Sequence, residues 1–313
     1  MPGPSRLPTA LAAALGAAAV LASATGCSGS ADAAATPAPA ATPTVADSID
    51  LHLPVSDYLL TPQAKLQLDR AAQKLVDQCM HRYGLALSDD PVAPRSTPAT
   101  LTQMRYGVTS AQQAKTTGYH FGPANPGYLP AATAGPRPEN TDPGYKLVLR
   151  GNGTPGEDDA TPAPHGSKTV PAGGCTGEMH KKLSGRAAFL GEAALVHEID
   201  AKSFDESRKV PAVQEAFRGW SACMLGKGFR YAAPMDAVND PAFAGEGPGR
   251  DEQKTAEADV ACKQQGNVVG IWFAAEVDRQ HAMMADHKNE LQTIRAQMDE
   301  QSAAVSETLN TAG

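Results

Sequence analysis

Imidazole, thioether and thiol side chains are the groups in this sequence whose spacing bears on chemistry. In His281-Ala282-Met283-Met284-Ala285-Asp286-His287, Met283 and His287 stand one helical turn apart and His281 precedes Met284 by three residues. Thioether with imidazole is a donor set that suits copper. Methionine at helical spacing more often fills a core. His281, Met283, Met284 and His287 are therefore a metal candidate that core packing outweighs, and no cofactor is expected. His197-Glu198 lacks the second histidine at i+4 of a zinc protease helix. Glu157-Asp158-Asp159, in a glycine-bracketed loop, lacks the alternating oxygens and distal glutamate of a calcium loop. Ser167, Ser184 and Ser221 have no Gly-x-Ser-x-Gly context. No catalytic residue is assigned.

The five cysteines carry more. Cys27 follows an Ala/Leu-rich run, Leu7 to Ala24, in which Arg6 is the last charge before Asp32. That is the pattern of a secretory signal, too short and alanine-rich to hold a bilayer well. Ala24-Thr25-Gly26-Cys27 resembles a bacterial lipobox, which implies cleavage before Cys27 and a fatty acyl chain on its thiol. A secreted protein cut near Ala24 is the alternative. The expected location is extracytoplasmic, on the outer face of the cell membrane, where several acyl chains anchor firmly and one does so marginally.

Removing Cys27 leaves Cys79, Cys175, Cys223 and Cys262, an even set that in an exported protein reads as two disulfides. Four cysteines allow three pairings, and an internal echo selects among them. Cys79-Met80-x-x-x-Gly84-Leu85 and Cys223-Met224-x-x-x-Gly228-Phe229 share one spacing, with Ala72 matching Ala216 and Val76 matching Trp220. Each copy closes a helix with a glycine suited to a left-handed terminus, and each is followed by one further cysteine in a helix-like segment. The expected pairs are Cys79 with Cys175 and Cys223 with Cys262. None of the four lies in a Cys-x-x-Cys pair, which disfavours zinc.

The elements that must position these residues are mainly α-helical. Thr61-Pro62 starts a helix whose apolar residues recur through Met80 to Gly84. From Leu85 to Gly174 Pro, Gly, Asp and Thr dominate, with a short helix expected at Thr109 to Thr117 and a strand or packed loop at Tyr145 to Leu149. The loop aromatics Tyr106, Tyr119, Phe121, Tyr128 and Tyr145 read first as pins to a core and second as a ligand wall. Helical periodicity returns over Thr176 to Leu183, Ala187 to Arg208, Pro211 to Leu225, Arg250 to Gln265 and nearly unbroken from Val268 to about Leu309. In that last stretch Val277, Met284, Leu291, Met298 and Val305 recur every seven residues, but polar Gln280, His287, Gln301 and Thr308 leave the stripe thin for a coiled-coil dimer.

The resulting fold class is a mainly α, disulfide-stapled helical domain with long Gly/Pro-rich loops and a long C-terminal helix. The expected organisation is a signal peptide at 1–26, an acylated Cys27 with a disordered Ala/Pro/Thr tether over 27–48, and an extracytoplasmic domain over 49–313. That domain holds two diverged Cys-Met-x-x-x-Gly units, about 60–185 and 186–313. Without Arg6 the chain has 26 basic and 34 acidic residues, a formal charge of −8. No basic cluster offers the positive face that phosphate neutralisation needs, which excludes nucleic acid as a partner.

Arg105-Tyr106-Gly107-Val108, Gly118-Tyr119-His120, Gly173 to Glu178, Trp220-Ser221-Ala222-Cys223-Met224 and Ala258-Asp259-Val260-Ala261-Cys262-Lys263 resemble motifs of a family of actinobacterial secreted proteins and lipoproteins that carries no assigned activity. The resemblance implies the compartment and structural cysteines, and no active site. The expected function is that of a non-enzymatic envelope lipoprotein binding a cell-wall component, a small ligand or a membrane-protein partner. The alternative is a copper-handling protein or an envelope enzyme whose site forms only in the fold, drawing on His120, His165, His180 or the His281 to His287 segment.

Overall fold

Both copies of the echoed motif end a helix with the same hydrogen bonds. In helix α1 (Pro62–Arg82) the amides of Gly84 and Leu85 donate to the carbonyls of His81 and Met80 at 3.0 and 3.1 Å. After the Pro211–Gly226 helix the amides of Gly228 and Phe229 donate to Leu225 and Met224, both at 3.0 Å. Gly84 and Gly228 have φ of +75° and +94°, the left-handed value that lets the chain turn back at a helix end. The apolar residue just beyond, Leu85 or Phe229, then packs into the same apolar cluster as its own helix's methionine.

The computed structural model describes residues 40–87, 95–129, 144–152, 162–185, 193–245 and 247–311. Cys27 and its signal segment, residues 28–39 and Glu157-Asp158-Asp159 lie outside the described residues. After α1 come α2 (Ala111–Thr117), α3 (Tyr145–Arg150), α4 (Gly174–Ser184), α5 (Ala194–Ser207), α6 (Pro211–Gly226), α7 (Pro234–Val238), α8 (Arg250–Gln265), α9 (Val268–Asp286) and α10 (Lys288–Asn310). Strand β1 (Arg95–Ser96) pairs antiparallel with β2 (Tyr128–Leu129), and β3 (Ala163–His165) with β4 (Lys168–Val170). The fold is mainly α, as expected. Among the described residues no helix is long and apolar enough to cross a membrane.

The cysteines pair as the echo predicts. Cys79 bonds Cys175 with Cα atoms 5.5 Å apart and ties α1 to α4, and Cys223 bonds Cys262 at 5.7 Å and ties α6 to α8. An apolar cluster surrounds each bridge. Leu68, Val76, Met80, Val148, Leu183 and Val305 fill the first. Trp220, Trp272, Phe217 and Met224 fill the second, completed by Tyr106, Val108, Ala114 and Tyr119. A third joins Val55, Val196, Ile199, Leu291 and Ile294. The clusters cross the expected unit boundary at 185/186: the loop and α2 of the first half complete the second cluster, and Val305 of α10 completes the first. The echo therefore repeats a helix end and a staple, not an independent core.

Three further expectations are corrected. Tyr145 to Leu149 forms helix α3, and its end docks where Gly174 has no side chain: a Cβ there would lie 2.7 Å from the Val148 carbonyl and 2.5 Å from the Gly151 amide. The expected long C-terminal helix is present as α10, of 23 residues, and only its continuity with α9 is revised: the two are separated at His287, whose φ and ψ of −118° and 21° depart from helical values. Its heptad stripe is used within the chain, because Val277, Leu291 and Val305 are buried and Met284 and Met298 pack on the third cluster. Finally, residues 40–48 are docked on the domain. The Ala40 amide donates to Asp278 at 2.7 Å, Asn267 donates to the Pro43 carbonyl at 2.9 Å and accepts from the Val45 amide at 3.3 Å, and Val45 is buried. A Cβ on Gly270 would collide with the Pro43 carbonyl. Composition missed this strap because its backbone is held by hydrogen bonds to side chains distant in sequence, Asn267, Asp278, Gln264 and Thr109, and needs little apolar area.

Candidate binding groove and the buried charges behind it

The docked strap, α2 and the loop after α2 enclose a groove of about 240 Å³. Asp47 contributes from the strap and Ile49 from the turn just after it, Ser110, Gln112, Gln113 and Thr116 from α2 and its cap, and Phe121, Asn125 and Pro126 from the loop. Each wall is braced. Asp47 accepts from the Thr109 hydroxyl at 2.9 Å and the Ile49 amide at 3.1 Å. Ser110 caps α2 by accepting from the Gln113 amide at 3.4 Å. Gln103 donates to Asn125 at 2.9 Å, and Asn125 donates to the Thr97 carbonyl at 2.7 Å. Gly127 lies so near the Thr97 carbonyl that no Cβ fits.

Behind the groove, three buried carboxylates anchor these loops. Glu252 of α8 accepts from the Tyr119 amide at 2.7 Å and faces His120 Nδ1 at 2.8 Å, while His120 Nε2 faces the Gly245 carbonyl at 2.9 Å. Asp259, fully buried, accepts from Trp220 Nε1 at 2.9 Å, from the Tyr119 hydroxyl at 3.3 Å and from Lys263 Nζ at 2.9 Å. Lys263 also donates to the Val108 carbonyl at 3.0 Å. Burial pushes the Asp259 carboxyl up and the Lys263 ammonium down, each opposed by the other's charge.

Glu276 of α9 accepts from Arg105 Nε at 2.8 Å and from the Tyr106 hydroxyl at 2.7 Å. Arg105 also pairs with Asp200 at 3.0 Å and lies 5.1 Å from the Phe204 ring centroid. Burial works against the Arg105 charge, but Glu276 and Asp200 more than offset it and hold the guanidinium firmly protonated. The consecutive residues Arg105 and Tyr106 both reach Glu276 after Met104, whose φ of +70° is rare for a side chain of its size. The network continues through Ser203 and Gln280 to the Val55 amide at 2.9 Å.

Every buried charge here has a protein partner, so the networks position loops and offer no charge to the groove. The aromatic residues divide accordingly. Tyr106 and Tyr119 are buried pins, Tyr145 packs beside the first cluster, and Phe121 lines the groove. The copper candidate is split: Met283 and Met284 pack on the third cluster, whereas His281 and His287 are exposed. Among the described residues no three His, Cys, Asp or Glu side chains cluster as a metal site. His120 is engaged with Glu252 and Gly245, His165 meets the Tyr83 ring edge-on at 6.2 Å, and His180 lies on α4, so these histidines sit on separate elements.

Motif-by-motif reading missed the networks. Asp259 and Lys263 at i,i+4 were the available signal, together with Arg105-Tyr106 and Tyr119-His120, but the partners that complete the networks lie from 39 residues away, for Trp220 and Asp259, to 171, for Arg105 and Glu276. Compared with known proteins, the chain matches no family model, no curated protein and no solved structure.

Proposed function

We propose that this protein is a non-enzymatic lipoprotein of the actinobacterial envelope, acylated on Cys27 and held on the outer face of the cell membrane, where its groove binds an exposed component of the cell wall. The lipobox-like segment and the structural disulfides support the compartment, since such bridges persist in oxidising surroundings. The observation that carries the binding role is the groove itself. It is a concave site with braced walls, backed by saturated ion pairs, and it has the preformed character of a ligand site.

Co-sedimentation of the purified protein with isolated cell-wall sacculi tests the reading. Binding is expected, and Thr116→Trp, which fills the groove from the exposed side of α2, is expected to abolish it without lowering the melting temperature. Undiminished binding by that variant, or turnover of wall fragments that it stops, would overturn the proposal. Labelling with an alkyne fatty acid, present in the native chain and absent in Cys27→Ser, tests the anchor separately.

A further inference from the structure

We propose that the ligand of this groove is a neutral saccharide, bound one ring deep as part of a longer glycan. The inference rests on the reading of the groove as the binding site and specifies its ligand. Among the described residues no Lys, Arg or His lines the groove, and Asp47 is the one charged residue there. Phosphate, carboxylate and sulfate ligands therefore meet a carboxylate without a counter-cation, and binding them costs desolvation that nothing offsets. The contrast lies on the same molecule: an open concavity of about 400 Å³ near α5 and α6 is lined by three cations, Arg208, Lys209 and Arg218, against one carboxylate, Asp205.

The remaining groove groups are amides, hydroxyls and apolar faces, the complement of a sugar ring with its C–H faces and hydroxyl rim. Phe121, half-exposed, supplies an aromatic face beside Ile49 and Pro126. Three polar groups retain open hydrogen-bonding capacity among the described residues. Asp47 uses one carboxylate oxygen for Thr109 and Ile49, which leaves the other to accept. The Ser110 hydroxyl accepts from Gln113 and still has its proton to donate. The Gln112 side-chain amide, on the exposed side of α2, has no protein partner there. A carboxylate oxygen beside an amide is suited to vicinal hydroxyls, because each hydroxyl both donates and accepts. At about 240 Å³ the groove is smaller than the roughly 300–1,000 Å³ of pockets that enclose drug-sized ligands. That volume suits one ring with the rest of the chain in solvent.

The test is a titration of the ¹⁵N-labelled purified protein, followed by amide shifts, with four probes: maltotriose, triacetylchitotriose, the cationic glucosamine trimer and inorganic phosphate. Either neutral trisaccharide is expected to shift Ser110 to Thr117 and Phe121 to Asn125, with Kd in the millimolar range. Phe121→Ala is expected to raise that Kd about tenfold, a loss of about 1.4 kcal/mol. Phe121→Leu keeps apolar bulk without the ring and is expected to weaken binding nearly as much, so a folding defect in the alanine variant does not decide the result. Groove shifts with the amine trimer or phosphate alone would overturn the neutral-saccharide assignment and leave the groove as the binding site. No groove shifts with any probe, together with wall co-sedimentation that survives Thr116→Trp, would overturn both.

Discussion

The regions around the two disulfides start from the same local motif and build different interiors. Around Cys79–Cys175, α1, α3, α4 and α10 meet through aliphatic side chains, and the paired charges there, such as Arg82 with Glu178, lie at the surface. Around Cys223–Cys262, α6, α8 and α9 enclose Asp259, Lys263 and Glu276 among two tryptophans. The first region packs helices on helices, which apolar surface alone can do. The second must also fix two irregular loops, at 104–110 and 118–127, whose backbone and side-chain polar groups need partners when buried. Buried charge therefore appears where loops, rather than helices, complete a core, and that is the side of the molecule that carries the groove.

Removing each staple tests the comparison most severely. With both cysteines of a pair replaced by alanine, chain entropy predicts losses of up to about 4.7 kcal/mol for Cys79–Cys175 and about 3.9 kcal/mol for Cys223–Cys262, from sequence separations of 96 and 39. Urea unfolding measures both. A reversed order would mean that the second bridge acts chiefly by holding the polar core in register.

Lys263→Met is next. It leaves the Asp259 carboxyl buried without its cation and is expected to cost about 3 kcal/mol or more, whereas the double variant Asp259→Leu/Lys263→Met recovers much of that loss. A single-variant cost below about 1 kcal/mol would show that the pair is not what holds the 104–110 loop.

Gly84→Ala and Gly228→Ala probe what the two regions share. Nothing lies within 4 Å of a Cβ at either position, so the penalty is purely conformational, about 1–2 kcal/mol in both. Melting temperatures that differ strongly between the two would break the equivalence of the helix ends. Gln301 of α10 carries a buried side-chain nitrogen with no partner among the described residues, and Gln301→Leu is expected to stabilise by about 1 kcal/mol in urea.

The smallest effect is a pH dependence. Burial tends to raise the Glu178 carboxyl, but hydrogen bonds from Lys182 and Arg82 more than reverse this and hold it below its ordinary value. Its contribution is therefore present above the unfolded pKa, about 4.3, and is lost as pH falls through the lower folded value. Glu178→Gln should remove about 0.5 kcal/mol or less at neutral pH and flatten that part of the acid unfolding curve.

Much of the helical frame was legible because its signals are local. Thr61-Pro62 starts α1, glycine ends α1 and α6, and apolar recurrence marks α8 within a residue. Tyr145 to Leu149 reads from sequence as a strand or a packed loop, because its alternation fits a strand and so short an apolar run carries no helical period. In the structure it is helix α3, and its end lies against Gly174, where a Cβ would collide. The strap at 40–48 was misread because its ordering depends on Asn267 and Asp278 more than 200 residues away. Of the groove, Phe121 was among the aromatics singled out, while Asp47, Ser110 and Gln112 carried no distinguishing local signal.

By itself, then, the sequence determined the helical class, the helix ends and the sulfur pairing, because these follow from short-range periodicity, backbone preference and a repeated spacing. Only the tertiary structure decided which carboxylates are buried, that the strap is docked and that a groove forms beside α2. Those features arise from contacts between segments far apart in the chain, where a polar group's partner is set by how helices and loops meet and not by its neighbours in sequence.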